Sequence, residues 1–354
     1  MLPTRFPRPA EFAVASAVLL LAACSGDTAL APSAPVTRTI TVDASAAYAY
    51  LKLDTIAQPV SVASPTTSSA WDIGFFATGV TLNGGAAGPG GVTGYCLCRN
   101  EAATTAQVQA FTAMNQLPVS DSVTAAAVPP ASAFQADLLD PAINGWYSGT
   151  AGAGATVTAG RTFILRKSVG GATILAKFQV TGVTAPTAAT PGQVSFQFAI
   201  QPSAGAAFGA TLAQTVTVAA GTVAYFDLAA NALGTVASWD IAFDGWAIRT
   251  NGGVSGSGGV KAVPDAVTAF ASIDATYAAS APAVAYRGDT FSGVFAAHPW
   301  YRYNITGSDN QIWPMFNVYL VKTPAGVFKI QLTSYYSAAG APRNITVRYA
   351  KIAG

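Results

Sequence analysis

Histidine is almost missing from this chain of 354 residues: there is one, His298. A Ser-His-Asp triad could be built only around that position, and no nucleophile motif stands near it. Charge is scarce too. Charged residues make up 10% of the chain, with 18 basic against 16 acidic, so there is no basic stripe for nucleic acid and no charge-driven partner is implied. The carboxylates of the second half, Asp227, Asp240, Asp244, Asp265, Asp274 and Asp289, are scattered at spacings that favour no acid–base pair. We therefore expect a protein without enzymatic activity. Helix-forming stretches are few, and after the N-terminal leader no apolar run approaches the roughly 20 residues that span a bilayer.

What is present begins with an address. Residues 1–24 read as a signal peptide: Arg5 and Arg8, an apolar core from Phe12 to Ala23, and the lipobox Leu21-Ala22-Ala23-Cys24. Cys24 is the expected lipidation site, and Ser25 after it favours the outer membrane over retention at the inner one. Residues 25–37, rich in Ala, Pro, Ser and Thr, read as a flexible tether. The expected location is the outer membrane, held by the lipid anchor alone. The remaining cysteines, Cys96 and Cys98, are separated by one residue. A bridge between them closes a very small ring. A strained redox-active pair, two free thiols and a soft-metal site all remain open, and Cys-x-Cys alone lacks the further ligands of a zinc site.

The chain then repeats itself. Trp71-Asp72-Ile73-Gly74-Phe75 runs into Asn83-Gly84-Gly85, and Trp239-Asp240-Ile241-Ala242-Phe243 runs into Asn251-Gly252-Gly253, the two Trp residues lying 168 positions apart. Short runs of Val, Ile, Thr, Tyr and Phe with period-two alternation, divided by Gly, Pro, Ala and Ser, predict antiparallel β-sheet throughout. A hairpin is predicted for Phe163–Lys167 and Ile174–Phe178 around Gly170-Gly171, with a counterpart in Val318–Lys322 and Phe328–Leu332. The glycine runs 84–94 and 252–259 read as wide turns between strands, since a nucleotide loop would need a following helix and a Lys-Ser/Thr ending. The one helical prospect is 101–117. The expected architecture is all-β with few or no helices, in two tandem antiparallel domains, 38–202 and 214–354, joined by a linker at 203–213.

Trp-Asp-Ile-Ala-Phe, then Arg249-Thr250-Asn251-Gly252-Gly253 with a Gly/Ser loop, then Trp300-Tyr301 and the closing run Phe328–Tyr336, resemble the HmuY family of bacterial haem-binding lipoproteins. The second copy, 214–354, is the closer match, and the first lacks an Arg249 equivalent. The resemblance implies a surface-anchored haem or porphyrin binder acting in haem acquisition, with haem as cofactor and an outer-membrane haem receptor as a possible partner. Founding members clamp the iron between two His side chains, while some relatives use Met. His298 falls in the region of the second ligand. The first has no counterpart, so Met315 stands in as a substitute, with Trp300 and Tyr301 as candidates to cover the macrocycle and Arg249 to pair with a propionate. The bland alternative for His298 is a loop residue before Pro299. Met114, near the first-ligand region of copy one, reads as a core filler. Trp71 and Trp239 read as core anchors, whereas Trp246 and Trp313 are freer for function. No Cys-x-x-Cys-His exists, which excludes the usual covalent haem attachment. The alternative function is a surface protein of the same fold without haem ligation that binds another apolar ligand, a polysaccharide or a protein partner.

Overall fold

The computed structural model describes residues 35–152, 154–187 and 192–354. The leader, Cys24 and most of the tether lie outside them. Among the described residues the chain is β-sheet with four short α-helices, Thr105–Gln109, Ala113–Asp121, Ala275–Ser280 and Val294–Ala297. The first two fall within and just beyond the stretch where a helix was expected, and each opens on a capping box, from Thr104 and Thr112.

Both predicted hairpins form. Thr162–Val169 pairs with Ala172–Thr184 across Gly170-Gly171, both at positive φ, and Val318–Thr323 pairs with Gly326–Tyr336. What the sequence pattern did not reveal is the partner of each hairpin. One five-stranded sheet runs in the order Arg38–Asp43, Pro342–Ala353, Gly326–Tyr336, Val318–Thr323, Thr93–Cys96. Its edge strands come from the first repeat and its three central strands from the second. The other runs Leu212–Val218, Gly192–Ile200, Ala172–Thr184, Thr162–Val169, Lys261–Asp265, with the opposite mixture. The two repeats are thus tandem in sequence but exchange halves in space. Residues 138–292 build one unit, the inner one in sequence; 35–137 with 293–354 build the other, the outer one in sequence.

The buried clusters respect this division. One contains Leu51, Ile73, Phe75, Leu82, Tyr319, Phe328, Ile330 and Val347, all of the outer unit. Another contains Trp146, Phe163, Phe178, Phe196, Phe198, Phe226, Ile241 and Phe243, all of the inner unit. The segment 203–213, where the linker was expected, runs between two paired strands of the inner unit. Gly192–Ile200 and Leu212–Val218 are neighbours in one sheet, in register from Gly192↔Val218 to Phe198↔Leu212, so the supposed linker closes a hairpin. The reason is loop entropy. The last strand of one repeat and the first strand of the next are a few residues apart, whereas pairing within a repeat would close some 150 residues, dearer by about 2 kcal/mol. The matching pair at the outside, Arg38–Asp43 with Pro342–Ala353, then closes roughly twice the in-repeat length at a further cost of only about 0.6 kcal/mol.

The units meet where the chain crosses between them. Leu138–Asp140 pairs with Thr290–Ser292, and Leu139 faces Phe291 at the middle. These strands occupy equivalent places in the two repeats, each just after a buried aspartate, Asp137 or Asp289. The crossing is thus a two-fold arrangement of a motif with its own copy. Arg287 ties it further, pairing with the Asp140 carboxylate at 3.0 Å.

The repeated motif explains its own composition. Trp71 and Trp239 are buried in both copies. Asp72 accepts from Lys52 Nζ at 2.8 Å and from the Leu53 N–H at 2.8 Å; Asp240 accepts from Lys167 Nζ at 2.6 Å and from the Leu228 N–H at 3.0 Å. The Asn side chains fold the glycine loops about themselves. Asn83 donates to the Trp71 carbonyl and accepts from the Gly90 N–H; Asn251 donates to the Trp239 carbonyl and accepts from the Gly258 N–H. A β-carbon at Gly88 or Gly256 would stand 2.1 Å from the Asn oxygen, which is why these loops are rich in glycine. They are wide turns wrapped round a carboxamide. Asn251→Ala is expected to cost about 2 kcal/mol, by loss of two hydrogen bonds, and Asn83→Ala about 3 kcal/mol, because Asn83 also donates to the Ser68 carbonyl at 2.9 Å. Urea denaturation should show the larger loss in the Asn83 variant, and a loss below the error of measurement in either would show that copy's loop to be held by other means.

Candidate functional site

His298 lies at the C-terminal end of the helix Val294–Ala297, where its N–H donates to the Val294 carbonyl. Its carbonyl accepts from the Tyr319 hydroxyl at 2.6 Å, and burial pushes that phenol up from its ordinary pKa, so it stays a donor. The imidazole, 38% exposed, meets Glu101 through Nδ1 at 2.9 Å. With Nδ1–H donating to the carboxylate, Nε2 is the nitrogen left to ligate. Glu101 is in turn placed by its carbonyl, which accepts from Arg302 at 3.0 Å. The site thus joins two distant stretches, 197 positions apart.

A disulfide completes it. Cys96 ends the edge strand Thr93–Cys96 and bonds to Cys98, which takes a φ of +46°. One ligand atom from each of Cys96, Cys98 and His298 lies within 4.8 Å of the others. The loop after the cysteines is pinned to the same hairpin as His298: the Asn100 N–H donates to Asn317 and the Asn100 side chain donates to the Met315 carbonyl.

The remaining sequence-derived candidates do not converge on one spot. Met315 is 2% exposed, its N–H bonded to the Trp300 carbonyl, and belongs to the packed interior. Trp300 is likewise buried and donates to the Thr78 carbonyl at 2.9 Å, so it anchors the core and covers no open face. Tyr301 is half-buried in the short strand Tyr301–Tyr303, its ring 5.3 Å from that of Trp300. Arg249 belongs to the inner unit, ion-paired with Asp244, beside a polar pocket of about 320 Å³ lined by Tyr225, Trp239, Asn251 and Ser255. It does not join His298. Met114, expected in the core, is 89% exposed. It stands on a short helix that turns a weakly apolar face to the sheet, which contributes only Ser120 to the buried set. Trp313 donates to Asp309 at 2.9 Å, and Trp246 stacks on Trp146 at 6.0 Å.

Sequence reading missed Glu101, Asp137 and the lysines Lys177 and Lys329. The last two carried a signal: they take matching places in the two repeated hairpins, 152 positions apart, as do Asp137 and Asp289. Burial pushes the Asp137 carboxyl up to about 7, against a single hydrogen bond from the Leu82 N–H that lowers it. A shallow groove of about 600 Å³ lies beside it, lined by Leu138, Gly293, Ala296 and Ala297 and ending one residue before His298.

Fold and site together define a duplicated, all-β protein with exchanged halves and a single histidine at a seam between the repeats. The model of the HmuY family, described as HmuY protein, matches residues 45–198 and 221–349, most of the chain in two tandem regions. The chain belongs to the HmuY family. Among solved structures it is similar to a protein of Bacteroides vulgatus ATCC 8482 described as an HmuY_like heme binding protein, at 16% identity and a TM-score of 0.16, covering 37% of this chain and 85% of that one. It is also similar to one of Bacteroides fragilis NCTC 9343 described as a lipoprotein, at 18% identity and a TM-score of 0.16, covering 48% of this chain and 93% of that one. At these scores neither likeness carries an argument, and membership rests on the family model. No curated protein matches. No helix among the described residues is long and apolar enough to cross a membrane.

Proposed function

We propose that the protein is a non-enzymatic binder of haem or a related porphyrin, anchored to the outer membrane through Cys24 and acting in haem acquisition. The observation that carries this reading is the presentation of His298: the one imidazole of the chain, half-exposed, anchored at Nδ1 by Glu101, with Nε2 left to ligate. A carboxylate on the far nitrogen fixes the tautomer and raises the basicity of the ligating one. His298 would hold the iron, with Tyr301 at hand for the macrocycle. Haem would supply an iron that a neutral imidazole can ligate. The residues present fit one protein ligand: Met315 is packed in the core, and no other His exists to complete a pair. An outer-membrane receptor would take up the cargo.

Haemin titration of the chain with its disulfide intact tests the reading. A saturable Soret shift at one haemin per chain is expected, weakened at least tenfold by His298→Ala and less by Glu101→Gln, in keeping with the roughly 10- to 100-fold typical of partners behind a ligand. No binding at micromolar concentration, or binding indifferent to His298→Ala, would leave the fold put to another use, with a different apolar ligand, a polysaccharide or a protein partner.

A further inference from the structure

The cysteine pair is not accounted for by haem binding, and its surroundings are particular. Cys96 and Cys98 are bonded to each other across a single residue, Leu97, with Cα atoms 5.0 Å apart. Cys96 is nearly buried on an edge strand, while Cys98 is partly open to solvent and so within reach of a small thiol. Cys98 takes a left-handed backbone conformation that a residue with a β-carbon seldom adopts unless its surroundings impose it. His298 stands beside the pair, its ligand atom and both sulfurs falling within 4.8 Å of one another. Two sulfurs and one imidazole in that compass match the bond lengths of a tetrahedral soft-metal centre, about 2.3 Å to sulfur and about 2.0 Å to nitrogen, once the sulfurs are free to separate.

We propose that Cys96, Cys98 and His298 form a redox-gated site for a thiophilic cation of the Zn²⁺ or Cu⁺ type, closed while the disulfide stands and opened by a dithiol. The chemistry balances simply. A thiolate of the dithiol attacks the sulfur of Cys98, the less buried of the two residues, breaking the protein S–S bond and forming a mixed disulfide, with Cys96 leaving as thiolate. The second thiol of the reductant then attacks the mixed disulfide, releasing Cys98 as thiolate and the reductant as its cyclic disulfide. Two electrons pass to the protein, and two thiols result. Metal binding displaces their two protons, because the thiolate is the ligand. The third ligand is the neutral imidazole, held in place by Glu101 at 2.9 Å. A fourth position is left for water or an added ligand, as in a three-ligand zinc site. The site stands apart from the haem reading: it needs the reduced pair, whereas the haemin titration uses the oxidised chain. The two can succeed or fail separately.

Cobalt(II) is the probe, because thiolate coordination gives ligand-to-metal charge-transfer bands that carboxylate or imidazole sites lack. The whole chain is reduced with dithiothreitol, freed of it under nitrogen, and titrated beside the untreated chain. The expected result is one Co²⁺ per reduced chain with thiolate bands, at least ten times tighter than for the oxidised chain, displaced by Zn²⁺ and abolished on reoxidation. His298→Ala, a partly exposed position whose loss spares the core, should weaken the reduced chain's affinity at least tenfold while both thiols still titrate with a thiol reagent. The absence of thiolate bands in the reduced wild-type chain would overturn the proposal, as would an unchanged affinity in His298→Ala. The comparison of oxidised with reduced wild type requires no substitution, so a folding defect in a variant cannot obscure it.

Discussion

Raising the pH from about 4 to about 8 is expected to destabilise the folded chain by up to about 4 kcal/mol through Asp137 alone. This carboxyl is 3% exposed, receives one hydrogen bond, from the Leu82 N–H at 2.9 Å, and is pushed up to about 7 by desolvation. An unfolded aspartate titrates near about 3.9, so between the two values the folded chain holds a proton that the unfolded chain has released. Stability from this group is fully present below the unfolded value and is lost as pH rises through about 7. Its counterpart in the other repeat is differently furnished. Asp289 accepts from the Ala142 N–H at 2.8 Å, the Thr250 N–H at 3.0 Å and the Thr250 hydroxyl at 2.9 Å. Leu82 stands where Thr250 does, so Asp137 lacks the hydroxyl. Asp137→Asn, which keeps the shape and remains neutral, should therefore flatten the decline, matching wild type near pH 4 and exceeding it near pH 8. Carboxylates with lowered values, such as Asp121, Asp227 and Asp265, act the other way and only at the acid end. Chemical denaturation at stepped pH measures this directly, and parallel curves for the two proteins would refute the assignment.

Lys329→Met is expected to cost about 4 kcal/mol. The side chain is 1% exposed, and its ammonium donates to the carbonyls of Ser120 at 2.9 Å, Val123 at 3.0 Å and Asp121 at 3.3 Å. Those carbonyls end the helix Ala113–Asp121, where a cation also meets the negative end of the helix dipole. Methionine fills the space but donates nothing, leaving carbonyls unpaired. Lys177 does the same task in the inner unit with two carbonyls, Phe270 and Ile273, at 2.8 Å each, and the Phe270 ring 4.5 Å away. Lys177→Met should cost less, about 2 kcal/mol. Equal losses, or a loss for Lys329→Met below about 1 kcal/mol, would deny the lysine its role as clamp between hairpin and helix.

Much of this was legible in the residues. The Trp-Asp and Asn-Gly-Gly pairs announced a duplication, the glycine turns set both hairpins, and period-two alternation gave the sheets. The exchange was not legible. The two repeats offer each strand two similar acceptors, so the hydrophobic pattern serves either choice and the length of intervening chain decides. The site was half legible. His298 stood out by being alone, but Glu101 and the cysteines come to it from 197 to 202 positions away, and nothing local marks them. Arg249 and His298, grouped by a resemblance that treats one repeat as one unit, stand in different units because the fold assigns the two halves of a repeat to different cores. Met114 was misjudged because its helix turns so little apolar surface inward.

The nesting of one unit within the other also sets a timetable for a chain delivered end first. Every strand of the inner sheets lies between residues 138 and 292, so that core can close once residue 292 has emerged. The outer sheet cannot, because Arg38–Asp43 waits for Pro342–Ala353, the last strand of the chain. Until then its first strand has a bare edge, and bare edges invite pairing with other chains. Loss of Pro342–Ala353 would strip the partner from Arg38–Asp43, so the strand nearest the start of the described chain takes its sheet neighbour from the strand farthest from it in sequence.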